Sequence, residues 1–273
     1  MARIIALHSH RGGTGRSSIA ANLARLMADT GRRVALVDTD LQAPAAHVLL
    51  GVAPHSADRT LAGYLTGLCE IEEATVLLTA GFGDGELFLV PARAEASGIH
   101  EIIAQGYDVG LLREGFDRLA GCLQLDVLLL DTHAGISNET VAAVASADIL
   151  LMVTRPCQLD LSGAGEATEF ALRLNCPGRA LVVNTVPPGT AAGPARRRAE
   201  AAYGLPARAV LPYVPEFACL AGDRLFAAAH PDHPLTARLT ALIPALLDAT
   251  PPGAAACAPG GAATPPTPHR AEP

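Results

Sequence analysis

Residues 9–18 read Ser9-His10-Arg11-Gly12-Gly13-Thr14-Gly15-Arg16-Ser17-Ser18, between an apolar run at Arg3–His8 and a helical pattern from Arg16 to Thr30 that stops at Gly31. Glycines let successive backbone N–H groups turn inward around an anion, and the start of a helix adds partial positive charge. Strand, glycine-rich turn and helix in that order predict a phosphate loop, with the Ser17 hydroxyl placed to ligate Mg²⁺. The strict pattern G-x-x-x-x-G-K-[ST] is missed twice: His10 stands at the first Gly and Arg16 at the Lys.

Further apolar runs at Arg33–Val37, Glu86–Val90, Asp126–Leu130, Ile149–Val153, Ala180–Val183 and Ala209–Leu211 read as strands. Helical periods lie between them near Val109–Cys122, Glu139–Ala147, Asp160–Leu174 and Pro194–Tyr203. Strands apolar on both faces and spaced by helices predict a doubly wound α/β fold, its mostly parallel sheet covered by helices on both faces. Ligands of such sheets sit at the carboxyl ends of the strands. From Ala249 the composition changes: of the last 25 residues, 7 are Pro, 3 Gly and 8 Ala. That segment predicts a disordered tail, leaving residues 1–248 as one nucleotide-binding domain.

Composition narrows the class. A chain of 273 residues that is 50% hydrophobic buries a core without disulfide or metal staples. Its net charge of −7 argues against a generally basic nucleic-acid coat, and all 20 basic residues are Arg, with no Lys anywhere. Six scattered cysteines without a Cys-x-x-Cys suit a reducing compartment. The longest apolar stretch, Val141 to Val153, is broken by Ser146 and Asp148 and falls short of a membrane span. These features predict a cytoplasmic protein.

Two further segments end strands with carboxylates: Val37-Asp38-Thr39-Asp40 and Leu130-Asp131-Thr132-His133-Ala134-Gly135. Beside a phosphate loop, one such acid holds the Mg²⁺ shell while another positions an attacking water. Alone, each reads better as a solvated or capping carboxylate. Three elements in the right order favour the site.

With these motifs in place, the chain resembles the MinD/ParA ATPases. Arg11 to Ser18 resembles their deviant Walker A motif, K-G-G-x-G-K-[ST]-[ST]. Asp38-Thr39-Asp40 is similar to switch I, and Asp131 to Gly135 to the D-[ST]-P-A-G of Walker B and switch II. Val183-Asn184-Thr185-Val186-Pro187 resembles the adenine-contacting N-x-x-x-P loop, and Leu211-Pro212-Tyr213-Val214-Pro215-Glu216 the late segment bordering the base. The resemblance implies ATP and Mg²⁺ as cofactors and a homodimer with nucleotide between the subunits. It further implies slow hydrolysis stimulated by an activating or cargo-adaptor protein, and a role in positioning or partitioning a large cargo. It assigns Gly12, Gly13, Thr14, Gly15, Arg16, Ser17 and Ser18 to the phosphates, and Asn184, Pro212 and Val214 to the base. Ser17, Asp40 and Asp131 fall on the metal side, and Asp40, Arg11 and Arg16 in catalysis.

Both motif lysines are arginine here. At Arg11, the position that in the family reaches across the dimer, charge and reach are kept and a fork of donors serves well as a phosphate clamp. At Arg16 a planar guanidinium replaces a compact point charge, and misplacing one such contact typically costs ~10²–10³ in rate. The chain therefore also reads as a nucleotide-binding scaffold with little turnover, and less directly as an amide-forming or maturation enzyme of the same branch.

Other residues read more plainly. His8 with His10, and His230 with His233, have spacings open to metal binding but better suit hydrogen bonding and a Pro-rich turn. His133 stands where the family has Pro, as a phosphate contact or a space filler. Arg196-Arg197-Arg198 is the one basic run: a solvated face, or a non-specific DNA contact. The last helical pattern, Leu235 to Leu247, has one cation, Arg238, and packs better on a sheet than on a membrane. The lack of Cys-x-x-Cys argues against the iron–sulfur carrier branch.

Overall fold

The apolar run at the amino terminus forms strand β1 (Arg3–His8), hydrogen-bonded in parallel to β5 (Val127–Asp131) on one side and to β6 (Ile149–Thr154) on the other. In a computed structural model, residues 1–52, 56, 58–78, 84–93, 108–219 and 225–248 are described. The remaining strands are β2 (Arg33–Asp38), β3 (Val76–Leu78), β4 (Glu86–Val90), β7 (Gly178–Val186) and β8 (Ala207–Pro212). They make an eight-stranded sheet in the order β3-β4-β2-β5-β1-β6-β7-β8, parallel except for β3, which runs antiparallel to β4 at the edge. The doubly wound α/β reading is therefore the observed fold.

Helices cover both faces. On one side α1 (Arg16–Ala28), α2 (Ala46–Leu49), α10 (Phe226–Ala229) and α11 (Pro234–Leu247) pack Ile19, Leu23, Phe226 and Leu239 against Ile5, Leu7 and Leu129. On the other, α3 (Leu61–Leu65), α4 (Gly110–Cys122), α5 (Asn138–Ser146), α7 (Ala164–Arg173) and α8 (Ala192–Tyr203) bring Tyr64, Phe116, Phe170 and Tyr203 onto Ala6, Leu128 and Leu130. Strand residues alternate between these faces, and each buried Leu contributes about 1.5–3 kcal/mol. In α11, Leu235, Leu239, Leu242, Ile243 and Leu246 are all buried, so its apolar stripe is spent on the sheet. Among the described residues no helix is long and apolar enough to cross a membrane.

The single helix expected at Asp160–Leu174 is instead two, α6 (Gln158–Leu161) and α7, separated by Ser162-Gly163. A side chain at Gly163 would collide with the imidazole of His10, so the phosphate loop packs into the break. Strands β7 and β8 extend beyond the expected Ala180–Val183 and Ala209–Leu211. Their pairing shifts register between Val183 and Val186, where Thr185 is β-branched yet has φ of 51°. Not read from sequence are β3, α2, α3, α9 (Pro215–Cys219) and α10. The expected tail, 249–273, lies outside the described residues.

Candidate functional site

Three adjacent strands, β2, β5 and β1, end side by side, which brings the loop after each to one place. Register sets Asp38 directly against Asp131 and Asp131 against Leu7. The loop after β1 is tied down locally. Ser9 Oγ donates to the Arg11 carbonyl at 2.9 Å, and Gly135 N donates to the Ser9 carbonyl at 3.1 Å. From behind, Asn184 Nδ2 donates to the Thr14 carbonyl at 2.8 Å. At Gly15 the backbone has φ of 83°, and a Cβ there would strike the Asn184 amide, so both conformation and space demand glycine.

The loop encloses a cavity of about 300 Å³ whose lining includes Gly12, Gly15, Ser17, Asp40, His133 and Ala134. Arg16 is 7% exposed and lies across the carboxylates: Nε donates to Asp131 Oδ1 at 2.6 Å, and Nη2 approaches Asp40 Oδ2 at 3.3 Å. Burial opposes its charge, yet Asp131 and then Asp40 hold its pKa above the usual value. Burial also raises Asp131, against the pull of Arg16. Asp38 is pushed up to about 7 by burial and by the neighbouring Asp131. It accepts three backbone N–H bonds, from Asp40, Ala45 and Ala46, each at 3.0 Å, and so folds the segment after β2 back onto the strand.

Asp40 Oδ1 accepts from Ala43 N at 2.9 Å and from His133 Nδ1 at 2.9 Å. Sequence alone left His133 open; its place beside Asp40 comes only from the fold.

The other expected residues divide. Arg11 is exposed, with Nε on the Leu159 carbonyl at 3.1 Å. Asn184 is buried against the loop, Pro212 is exposed and Val214 half-buried, and none of the three is among the described residues lining the cavity. Arg155 was missed: Asp160 holds it through Nε at 2.7 Å and Nη2 at 2.9 Å, and no sequence motif marks it. The basic run is not one face. Arg196 donates to the Ala207 carbonyl at 2.6 Å, Arg197 is exposed, and Arg198 lines a second cavity of about 320 Å³ with Arg155.

The histidines have structural partners. Thr132 Oγ1 donates to the Leu7 carbonyl at 2.9 Å, so His8 Nδ1 must donate to that hydroxyl at 3.1 Å. Burial first, and then Arg16, lowers the His8 pKa to about 3, and the ring is neutral. His233 Nδ1 accepts from Leu235 N at 3.0 Å as the cap of α11, and His230 stacks on Phe226.

The donor set fits a phosphate ligand with a hard cation. Asp131 Oδ2 and Thr14 Oγ1 are buried without a hydrogen-bond partner among the described residues. Mg²⁺ takes oxygen ligands, commonly one or two carboxylates plus substrate phosphates. Among the described residues no group of three or more His, Cys, Asp and Glu is placed to hold a metal alone. A phosphate would complete the set at Asp131 and Ser17.

A family model described as an AAA domain matches residues 2–175. The antiactivator FleN of Pseudomonas aeruginosa is 37% identical over 153 residues, covering 55% of this chain and 50% of FleN. A cytosolic Fe–S cluster assembly factor, the NUBP2 homolog of Culex quinquefasciatus, is 27% identical, covering 61% of this chain and 63% of its own length. The chain thus spans about half the length of FleN and under two thirds of the NUBP2 homolog. Among solved structures, the cell division ATPase MinD of Pyrococcus furiosus superposes with a TM-score of 0.74 at 25% identity, over 90% of this chain and 100% of that one.

Proposed function

Because the chain belongs to the MinD/ParA family of P-loop ATPases, we propose that it binds ATP with Mg²⁺ and dimerises across the nucleotide. In this reading it works as a slow switch that positions a larger cellular assembly in the cytoplasm. One observation carries the proposal: the glycine-rich loop, Ser17 and Asp40 line one cavity of about 300 Å³, and the adjoining strand ends in Asp131, which has a buried oxygen without a hydrogen-bond partner among the described residues. Backbone N–H groups from Gly12 to Ser18 would cradle the phosphates, and Ser17 and Asp131 would hold Mg²⁺, with Asp40 on the same side. The ion would neutralise charge developing on the terminal phosphate. Asn184, Pro212 and Val214 would border the base. Arg11, exposed and anchored on Leu159, would reach a partner subunit's phosphates.

Titration calorimetry with ATP and ADP up to millimolar concentration tests this; no heat with either removes the reading. This sequence contains no Cys-x-x-Cys, so its residues do not support a reading as an iron–sulfur carrier. A nucleotide-binding scaffold with little turnover is the second reading, and the engagement of Arg16 by Asp131 and Asp40 favours it. Single-turnover hydrolysis, with and without the partner protein, separates the two. Non-specific DNA contact, if carried by this basic run, rests on Arg197 and Arg198, since Arg196 is held by Ala207 and Glu200. Such binding should weaken steeply with salt and vanish on Arg197→Ala/Arg198→Ala; a salt-independent shift rejects it.

A further inference from the structure

The resemblance gives Asp40 the task of orienting the attacking water, but three of its four acceptor sites are already taken, both of those on Oδ1 among them. An ionised carboxylate offers about two lone-pair sites on each oxygen. Oδ1 receives Ala43 N and His133 Nδ1, both at 2.9 Å, and Oδ2 faces Arg16 Nη2 at 3.3 Å. Asp40 is paired with the Arg16 guanidinium through Oδ2 and accepts at Oδ1, so the proton of the shared bond belongs to His133 Nδ1. The other ring nitrogen of a neutral imidazole then carries a lone pair. Nε2 of His133 has no hydrogen-bond partner among the described residues, and the ring lines the same cavity as the phosphate loop.

We propose that His133 is a further catalytic residue: its Nε2 accepts a hydrogen bond from the water that attacks the terminal phosphate, while Asp40 is the positioning residue that fixes the ring. This rests on the ATP reading above. In the step, the water oxygen bonds to the γ-phosphorus. The bond from that phosphorus to the bridging oxygen breaks, and its electron pair leaves on ADP. The water proton ends on the released phosphate, so His133 gains no proton over the cycle. A carboxylate that orients an imidazole costs no rearrangement when the water arrives, and positioning supplies most of the catalysis in phosphoryl transfer.

The test uses the full chain and begins with ATP affinity of the unmodified protein by calorimetry. His133→Phe keeps the ring's bulk and removes both nitrogens; His133→Gln keeps one donor and one acceptor. Single-turnover hydrolysis should fall by about 10²-fold or more in His133→Phe, with the ATP dissociation constant changed less than about twofold. His133→Gln should recover about tenfold of that loss. Independently of turnover, nitrogen-15 NMR of the histidine ring should show the proton on Nδ1 and a bare Nε2, and Asp40→Asn should shift the Nδ1 signal. Intact ATP binding with an unchanged rate in His133→Phe overturns this proposal alone, as does a proton found on Nε2. Absence of ATP binding in the unmodified chain removes the ATP reading and this proposal together.

Discussion

Nε of Arg16 donates to Oδ1 of Asp131 across 2.6 Å, joining the start of α1 to the end of β5 where both side chains are almost wholly buried. The same guanidinium reaches Asp40, so one cation balances two of the acids that end β2 and β5. Removing it leaves those buried acids uncompensated, which typically costs about 3–5 kcal/mol. Arg16→Ala should therefore lower the urea-unfolding free energy at pH 7 by about 3 kcal/mol or more in the absence of nucleotide. Arg16→Lys restores the charge without the fork and should lose less. Equal stability of all three proteins would contradict the ion cluster.

Two buried groups set opposing pH dependences. Asp38 is raised from 3.8 to about 7, so its contribution to stability is full below the unfolded value and is lost as pH rises through 7. Asp131, also raised, acts in the same direction. His8 is lowered from 6.5 to about 3, so its contribution is full above 6.5 and is lost as pH falls toward 3. The slopes, up to ~1.4 kcal/mol per pH unit each, largely cancel between about pH 4 and 6.5. His8→Asn keeps a donor for Thr132 and should become more stable as pH falls from 7 to about 4. Relative to the unmodified chain, Asp38→Asn should lose stability over the same interval. Urea midpoints at each pH give both signs.

The close approach of His10 to Gly163 gives a double-mutant test. Gly163→Ala, at the N-cap of α7, should destabilise by about 1–3 kcal/mol through overpacking against His10. Adding His10→Ala should recover most of that loss, measured as a coupling energy by chemical denaturation. Additive effects would show that the two do not touch.

Which parts of this were legible follows from what each residue needs to be recognised. The strands declared themselves because β1, β2, β5 and β6 are apolar on both faces, and Asp38, Asp40 and Asp131 stood out as acids at strand ends. The break at Gly163 did not: the apolar spacing from Leu161 to Phe170 runs through it, and its cause, His10, lies far away in the chain. The edge strand β3 has only three residues, too few to show an alternation. Sequence gave the kind of side chain at Arg16 and His133 but not its partner. Charge and hydrogen-bond capacity are residue properties, whereas which acid a guanidinium meets is decided by the register of β2 on β5.

Gly15 offers the most direct test of the loop. Gly15→Ala places a methyl group against the Asn184 amide at a backbone angle that L-residues disfavour. It should cost about 1–3 kcal/mol of stability and abolish heat on ADP titration. Asn184→Ala, which only frees the Thr14 carbonyl, should weaken ADP binding while the fold persists, as judged by circular dichroism.

The sealed position of Arg16 has a kinetic consequence. A guanidinium that is 7% exposed and shared by two acids gives up some of those contacts as it turns toward an incoming anion. Capture of a ligand by this loop is then a two-stage event, with collision followed by an exchange of ionic partners. Association should plateau with ligand concentration in stopped-flow mixing, at a ceiling set by the protein's own rearrangement.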